Sequence, residues 1–449
     1  MIKHLLLSFF LILALHCTGQ DYQFTGQYLY QNEVSRVFAV GSGDLDSDGL
    51  TDIVFTEPDQ QVLHWLKNSG SGQFTLEQVW NFPAIGIQVT DLDGDGNQDI
   101  IGCSYDLNLV VWFRNLGNNL FHPDTISTLL QHPLIVSAGD IDGDGDSDIA
   151  VATQDAGTGV MLLVNDGNMN FTPMQMDSQA YSSTWTQITD LDLDGTPDIV
   201  GVWFNDAGGL IWYRQTASLV FEKHFIPCPA VHGAAIGDID GDGDLDMAAA
   251  TCGNALCWFE NDGTCNFSLH TLSDSYNCAV SVGISDIDQD LVNDIVVTVY
   301  GSKRIDWWKN EGNNLFTRNL ICDSLLKPSD LCIADINGDQ IPDVLTGSYS
   351  KKLAYFENNA AGVGTGDSVT PIPFRIYTDW NSKAINIRPN ESLEGSVTVE
   401  IYNSTGALIH LQDISGSFPE TTIRVDSAGL YILRISCSGM KWGTRVIML

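Results

Sequence analysis

Basic residues are scarce in this sequence. Only 20 lysines and arginines stand against 57 aspartates and glutamates, a formal charge of −37. That balance excludes a polyanionic partner held by bulk charge, because nucleic-acid recognition needs a basic footprint. Long apolar runs are missing too. The stretch from Leu5 to Leu15 covers eleven residues, and no segment reaches the roughly 18 that a spanning helix needs, so no transmembrane helix is expected. No nucleophile motif, phosphate loop or zinc-ligand spacing occurs. Charged residues are few overall, at 17% against 44% apolar and 10% aromatic. A solvated, disordered coil has the opposite balance, so the acid must be concentrated in a few places. With 42 glycines and little helical periodicity, the chain reads as all-β, long enough for about two to four domains.

Residues 1–20 have the order of an export signal: Lys3, the apolar run, then Cys17-Thr-Gly-Gln20. Cleavage is expected near Gly19 or Gln20, with lipidation at Cys17 as the alternative. Nine cysteines remain beyond Cys17, seven of them between Cys228 and Cys332. An exported chain permits disulfides, yet spacing does not fix their pairing. Cys252 and Cys257 flank a tight hairpin and Cys322 and Cys332 another short connection; buried, unpaired thiols remain the other option.

Internal repetition decides the fold. The acid recurs as Asp44-Leu-Asp46-Ser-Asp48-Gly49-Leu-Thr-Asp52, and again over 91–99, 140–148, 190–198, 238–246, 286–294 and 335–343. The starts lie 47, 49, 50, 48, 48 and 49 residues apart. An apolar stretch precedes and follows each loop. An aromatic stretch ending in Asn comes next, as in Trp65-Leu-Lys-Asn68, Trp112-Phe-Arg-Asn115, Trp258-Phe-Glu-Asn261 and Trp307-Trp-Lys-Asn310, and then Gly and Phe open a fourth strand. Four short strands per repeat describe a propeller blade. The last copy stops at Tyr355-Phe-Glu-Asn358 without its fourth strand, while an unassigned strand headed by Phe24 precedes the first loop. Closing the last blade with that N-terminal strand removes the open edges and gives a seven-bladed propeller over residues 21–359.

Alternate aspartates with a turn glycine bring several carboxylates to one centre, a hard-oxygen set that selects calcium. The expected side-chain ligands are the first, third, fifth and ninth loop residues. In order these are Asp44, Asp46, Asp48 and Asp52; Asp91, Asp93, Asp95 and Asp99; Asp140, Asp142, Asp144 and Asp148; Asp190, Asp192, Asp194 and Asp198. The later copies supply Asp238, Asp240, Asp242 and Asp246; Asp286, Asp288, Asp290 and Asp294; and Asp335, Asn337, Asp339 and Asp343. The seventh residue (Leu50 in the first copy) would add its carbonyl. Up to seven calcium ions follow, held more weakly by the sixth loop, where Leu291 replaces the turn glycine, and by the seventh, where Asn337 replaces a carboxylate and Gln340 the glycine. The loops contain 29 of the 57 acidic residues, which locates half of the excess charge. These units resemble FG-GAP/VCBS repeats, the calcium-loop blades of integrin α-subunit propellers and many exported bacterial proteins. The resemblance implies the fold and the metal but not a ligand.

Residues 360–371 read as a Gly-rich linker. Over 372–449 the acidic loops stop and alternating strands imply a small Ig-like β-sandwich. Val399-Glu-Ile-Tyr-Asn-Ser-Thr-Gly406 and Gly429-Leu-Tyr-Ile-Leu-Arg-Ile435 resemble the C-terminal sorting domain of type IX secretion in Bacteroidetes, with Tyr377-Thr-Asp-Trp380 where that family opens on Tyr-Pro-Asn-Pro. The resemblance implies contact with secretion machinery and a secreted or cell-surface location.

The propeller face opposite the loops is built from connections after each second strand and before each first strand. It gathers Tyr105, Trp185, Trp203, His232, Tyr300, Arg304 and Tyr349 as candidate ligand-binding residues, with Phe204, His132, Arg36, Lys303, Lys351 and Lys352 nearby. Aromatic rings beside a few cations suit sugar stacking and uronate carboxylates. The reading is therefore a calcium-stabilised extracellular module that binds a glycan or protein. The alternative is a polysaccharide lyase in which His232 or His132 works with a tyrosine.

Overall fold

In each repeat the residue before the acidic loop pairs with the loop's ninth residue. Gly43 faces Asp52, Thr90 faces Asp99, Gly139 faces Asp148, and the same register recurs at Thr189–Asp198, Gly237–Asp246, Ser285–Asp294 and Ala334–Asp343. A fixed register makes the seven loops structural copies. The protein is seen here as a computed structural model. It describes residues 14–15, 24–31, 34–70, 72–154, 159–177 and 182–359, and the C-terminal segments 374–379, 384–389, 396–403, 408–415, 421–424, 429–437 and 440–448.

Six antiparallel sheets of four strands follow in chain order, starting with Val40–Gly43, Asp52–Glu57, Val62–Asn68 and Phe74–Trp80. The seventh contains Pro328–Ala334, Asp343–Ser348 and Lys352–Asn358. Its fourth strand is Phe24–Gln31, with Phe24 opposite Asn358 and Gln31 opposite Lys352. The all-β, seven-bladed propeller and its closure by the N-terminal strand are as the repeats require. Ala14–Leu15 pairs on the outer side of that closing strand. The rest of the expected export signal, and the linker over 360–371, lie outside the described residues.

The strands differ in burial because each meets different surroundings. Second strands such as Asp294–Val299 are buried at every residue, since both faces pack on neighbouring blades. Third strands are buried except near their ends, and fourth strands alternate between half-buried and exposed positions on the outside. First strands run closest together near the axis. A Cβ on Gly86 would lie 2.0 Å from the Leu134 carbonyl oxygen, so only glycine fits there. The core is a set of layers between blades. One layer joins Trp258, Ala248 and Leu256 of the fifth blade to Tyr276, Val297 and Trp308 of the sixth. Burying each such large side chain contributes about 1.5–3 kcal/mol.

The chain divides into two compact units, Met1–Ala360 and Ala361–Leu449. In the second, Phe374–Asp379, Ala384–Pro389 and Thr421–Arg424 form one antiparallel sheet, and Leu408–Ser415, Ser396–Asn403, Gly429–Cys437 and Met440–Met448 another.

Candidate functional site

The acidic loops are built from backbone conformation first. Their fourth residue has positive φ in all seven copies, whether glycine (Gly94, Gly143, Gly241, Gly338) or not (Ser47, Leu193, Gln289), and so does the sixth. The sixth is glycine in five copies, but Leu291 (φ 75°) and Gln340 (φ 70°) adopt the same turn. This backbone turns successive N–H groups inward. Asp44 accepts the N–H groups of Asp48 and Gly49 at 3.0 and 2.8 Å, and Asp91, Asp140, Asp190 and Asp335 repeat the pair.

The ninth aspartate closes the loop from below. Asp52 is fully buried and accepts the N–H of Leu45 at 3.2 Å and of Asn68 at 2.7 Å. Burial pushes the carboxyls of Asp52, Asp99, Asp148, Asp198 and Asp343 up to about 6, and those of Asp246 and Asp294 up to about 7. Asp240 is also raised to about 6, by burial first, with the carboxylates of Asp242 and Glu260 adding to it. Such groups are costly as anions unless a cation lies beside them.

Carboxylate oxygens converge within 4.8 Å of one another in Asp44, Asp46 and Asp48; Asp91, Asp93 and Asp99; Asp140, Asp142 and Asp148; Asp190, Asp192 and Asp194; and Asp238, Asp240 and Asp246. Three oxygens supply a test of whether a cation fits. Oδ1 of Asp46, Asp93 and Asp288 is buried and accepts no hydrogen bond, an arrangement that is expensive unless another group satisfies it. A hard divalent cation is the group that all-oxygen sets of this kind accommodate.

Two features of the third strand escaped the sequence reading. The terminal Asn ties blades together: Nδ2 of Asn68 donates to Ile336 O, of Asn115 to Leu45 O, of Asn310 to Ile239 O and of Asn358 to Ile287 O, each in a neighbouring loop. Gln215 does the same to Ile141 O. The residue just before it reaches the loop of its own blade. Lys67 contacts Asp46 and lies 2.9 Å from Asp48; Arg114 is 2.7 Å from Asp93. Arg214 is 2.5 Å from Asp192 and 3.4 Å from Asp194, and Lys309 contacts Asp288 and lies 2.8 Å from Asp290. The signal was visible in the alternation of Lys, Arg and Glu before that Asn.

At the other end of the blades a cavity of about 520 Å³ receives residues from all seven. Five of the seven candidate ligand-binding residues line it: Tyr105, Trp185, His232, Tyr300 and Tyr349. Trp203 and Arg304 do not. Trp203 packs 5.5 Å from the Phe225 ring, and Arg304 pairs at 2.7 Å with the buried Asp306. Among the described residues, Arg36 brings a cation to the cavity wall, 5.2 Å from the Tyr349 ring and 5.4 Å from the Phe38 ring, and it pairs with Asp59 at 3.5 Å. Tyr300 meets Tyr349 edge-on at 5.2 Å. His232 donates Nδ1–H to Val280 O at 3.0 Å, and burial holds its pKa below the usual histidine range. Asp330, absent from the sequence reading, also reaches the wall; it accepts the N–H groups of Val40 and Leu331 and the Ser281 hydroxyl, and burial raises its carboxyl to about 6. Beside this wall Cys252 and Cys278 form a disulfide that joins the end of the second strand of the fifth blade to the start of the sixth. Cys103, Cys228, Cys257, Cys265 and Cys332 are free thiols.

A family model described as an FG-GAP-like repeat matches residues 91–151, 140–201, 190–249, 238–297 and 286–346, more than half of the chain. No curated protein matches in sequence. Among solved structures, BBS1N in complex with ARL6DN soaked with mercury is similar with a TM-score of 0.53 at 12% identity, over 76% of this chain and 98% of that one. The crystal soaked with lead gives 0.51 at 12% identity, over 74% and 97%. At that identity the likeness is one of fold alone.

Proposed function

The chain belongs to the FG-GAP-like repeat family, and from that premise we propose that it is an exported propeller whose loops hold calcium and whose opposite face binds a glycan or protein. The carboxylates of the first, third, fifth and ninth loop positions would hold the ions. When bound, calcium neutralises the converging carboxylates and ties the loop to the strands that flank it. The observation that carries the metal reading is the buried, unpartnered Oδ1 of Asp46, Asp93 and Asp288.

The ligand reading rests on the cavity. Trp185, Tyr105, Tyr300 and Tyr349 offer flat apolar faces, and Arg36, paired on one side with Asp59 at 3.5 Å, offers the rest of its guanidinium. Pockets with aromatic walls and a few fixed polar groups are the usual form of a small-ligand site. Stacking on sugar rings and one contact to a carboxylate suit an acidic glycan better than a long peptide. Binding is favoured over a lyase because His132 lies flat on Tyr105 at 4.3 Å and the ring that meets His232 is Phe204 at 5.7 Å, so among the described residues neither histidine faces a tyrosine hydroxyl as an acid–base pair requires. The test is a glycan array probed with the full chain in calcium, repeated with Trp185→Ala and Tyr349→Ala. Binding lost in both variants supports this site; unchanged binding contradicts it.

Export and surface sorting complete the proposal. In support stand the N-terminal apolar run, the disulfide Cys252–Cys278, which suits an oxidising compartment, and the strand pattern of 372–449. Deleting 370–449 should trap the chain in the periplasm, and undiminished export would refute the sorting role.

A further inference from the structure

The seven loops do not carry the same charge. The first, second, fourth and sixth each hold four aspartates, and each faces one basic residue of its own third strand: Lys67, Arg114, Arg214 and Lys309. The third and fifth each hold five aspartates, with Asp146 and Asp244 as the additional ones. Where the others have a cation, these two have Val164 and Glu260. Among the described residues, no lysine or arginine pairs with a carboxylate of 140–148 or 238–246. The seventh departs differently: Asn337 takes the third position, and its amide donates to Asp339 at 3.0 Å and to Glu357 at 3.4 Å.

The cations make their contacts selectively. All four contact Oδ2 of the third-position aspartate, and three of them reach Oδ2 of the fifth as well. In Asp46, Asp93 and Asp288 the other oxygen, Oδ1, stays buried without a hydrogen bond. A basic side chain placed this way holds the carboxylates in position from one side and leaves an oxygen of each for a ligand on the other, as outer partners of metal ligands do. It also supplies part of the positive charge that the loop otherwise lacks.

We infer that Lys67, Arg114, Arg214 and Lys309 are resident counter-cations that keep their four loops ordered without calcium, so that calcium dependence is concentrated in the loops of the third and fifth blades. The inference rests on the calcium reading above and divides the loops within it. It separates charge compensation, which four blades carry in their own sequence, from charge compensation that must come from solution. Five carboxylates within nine residues and no basic partner repel one another, and in the fifth blade Glu260 adds a further negative charge.

Hydrogen exchange by mass spectrometry on the full chain, in chelator and in millimolar calcium, tests it. In chelator, backbone amides of 44–52, 91–99, 190–198 and 286–294 should remain protected, while those of 140–148 and 238–246 exchange at least about tenfold faster. Calcium should slow the latter two by a similar factor. Lys309→Met keeps the length of the stem but removes the charge, and should make 286–294 behave like 238–246; Lys309→Arg should restore protection. Equal exchange of all seven loops in chelator would overturn the inference, as would a Lys309→Met loop that is unchanged. A failure of the calcium reading looks different: calcium then slows no loop in any variant, while the effect of Lys309→Met in chelator still decides the role of the cation.

Discussion

Replacing Asn310 by alanine isolates what fastens one blade to the next. Its Nδ2 donates to Ile239 O of the fifth blade at 2.6 Å and to Asn293 O at 3.2 Å, and its Oδ1 accepts the N–H of Gly312 at 3.0 Å. The side chain is buried, so alanine would leave two carbonyls and an amide without these partners. At about 1 kcal/mol per hydrogen bond, and more where a buried group is orphaned, the loss should be about 3 kcal/mol. Asn165 occupies the same place in the third blade, but its Nδ2 stays within that blade, on Ser147 O at 3.3 Å and the Met169 sulfur at 3.6 Å. Its Oδ1 is buried with no hydrogen bond. Asn165→Ala should therefore cost only about 1 kcal/mol. Urea unfolding of the two variants at equal slope reads the difference of about 2 kcal/mol as separate midpoints. Equal midpoints, or a larger loss in Asn165→Ala, would refute the role assigned to the inter-blade bond.

Two further outcomes follow from backbone and burial. Gly243 has φ of 100° with open space where a Cβ would lie, so Gly243→Ala should cost about 1–2 kcal/mol through backbone conformation alone; a neutral substitution in thermal unfolding would contradict that. His232 is held neutral by burial, with a folded pKa below its unfolded value of 6.5. The stability this gives is complete above pH 6.5 and is lost as pH falls through the folded value. Imidazole NMR should place the His232 midpoint below 6.5, and a midpoint at or above 6.5 would contradict the burial argument.

The propeller was legible in the sequence because repetition multiplies a weak signal. One Asp-rich turn is ambiguous, but seven in register fix strand number, loop position and even the missing strand that Phe24–Gln31 provides. What escaped were contacts between repeats. The bond from Asn310 to Ile239 O spans 71 residues, and periodicity within a repeat says nothing about a neighbour's carbonyl. The cavity was half legible. Tyr105, Trp185, His232, Tyr300 and Tyr349 come from the connections that topology assigns to that face. Arg304 instead turns to Asp306, a buried charge two residues away that a count of loop residues does not reveal.

The claim that the aspartate loops are cation sites integral to the propeller is tested most directly by thermal unfolding of the full chain in millimolar calcium and in chelator. A site held at 100 times its dissociation constant adds about 2.7 kcal/mol to the folded state. The midpoint should therefore rise with calcium concentration, and magnesium at the same concentration should fall well short. Identical midpoints in calcium and in chelator would contradict the account.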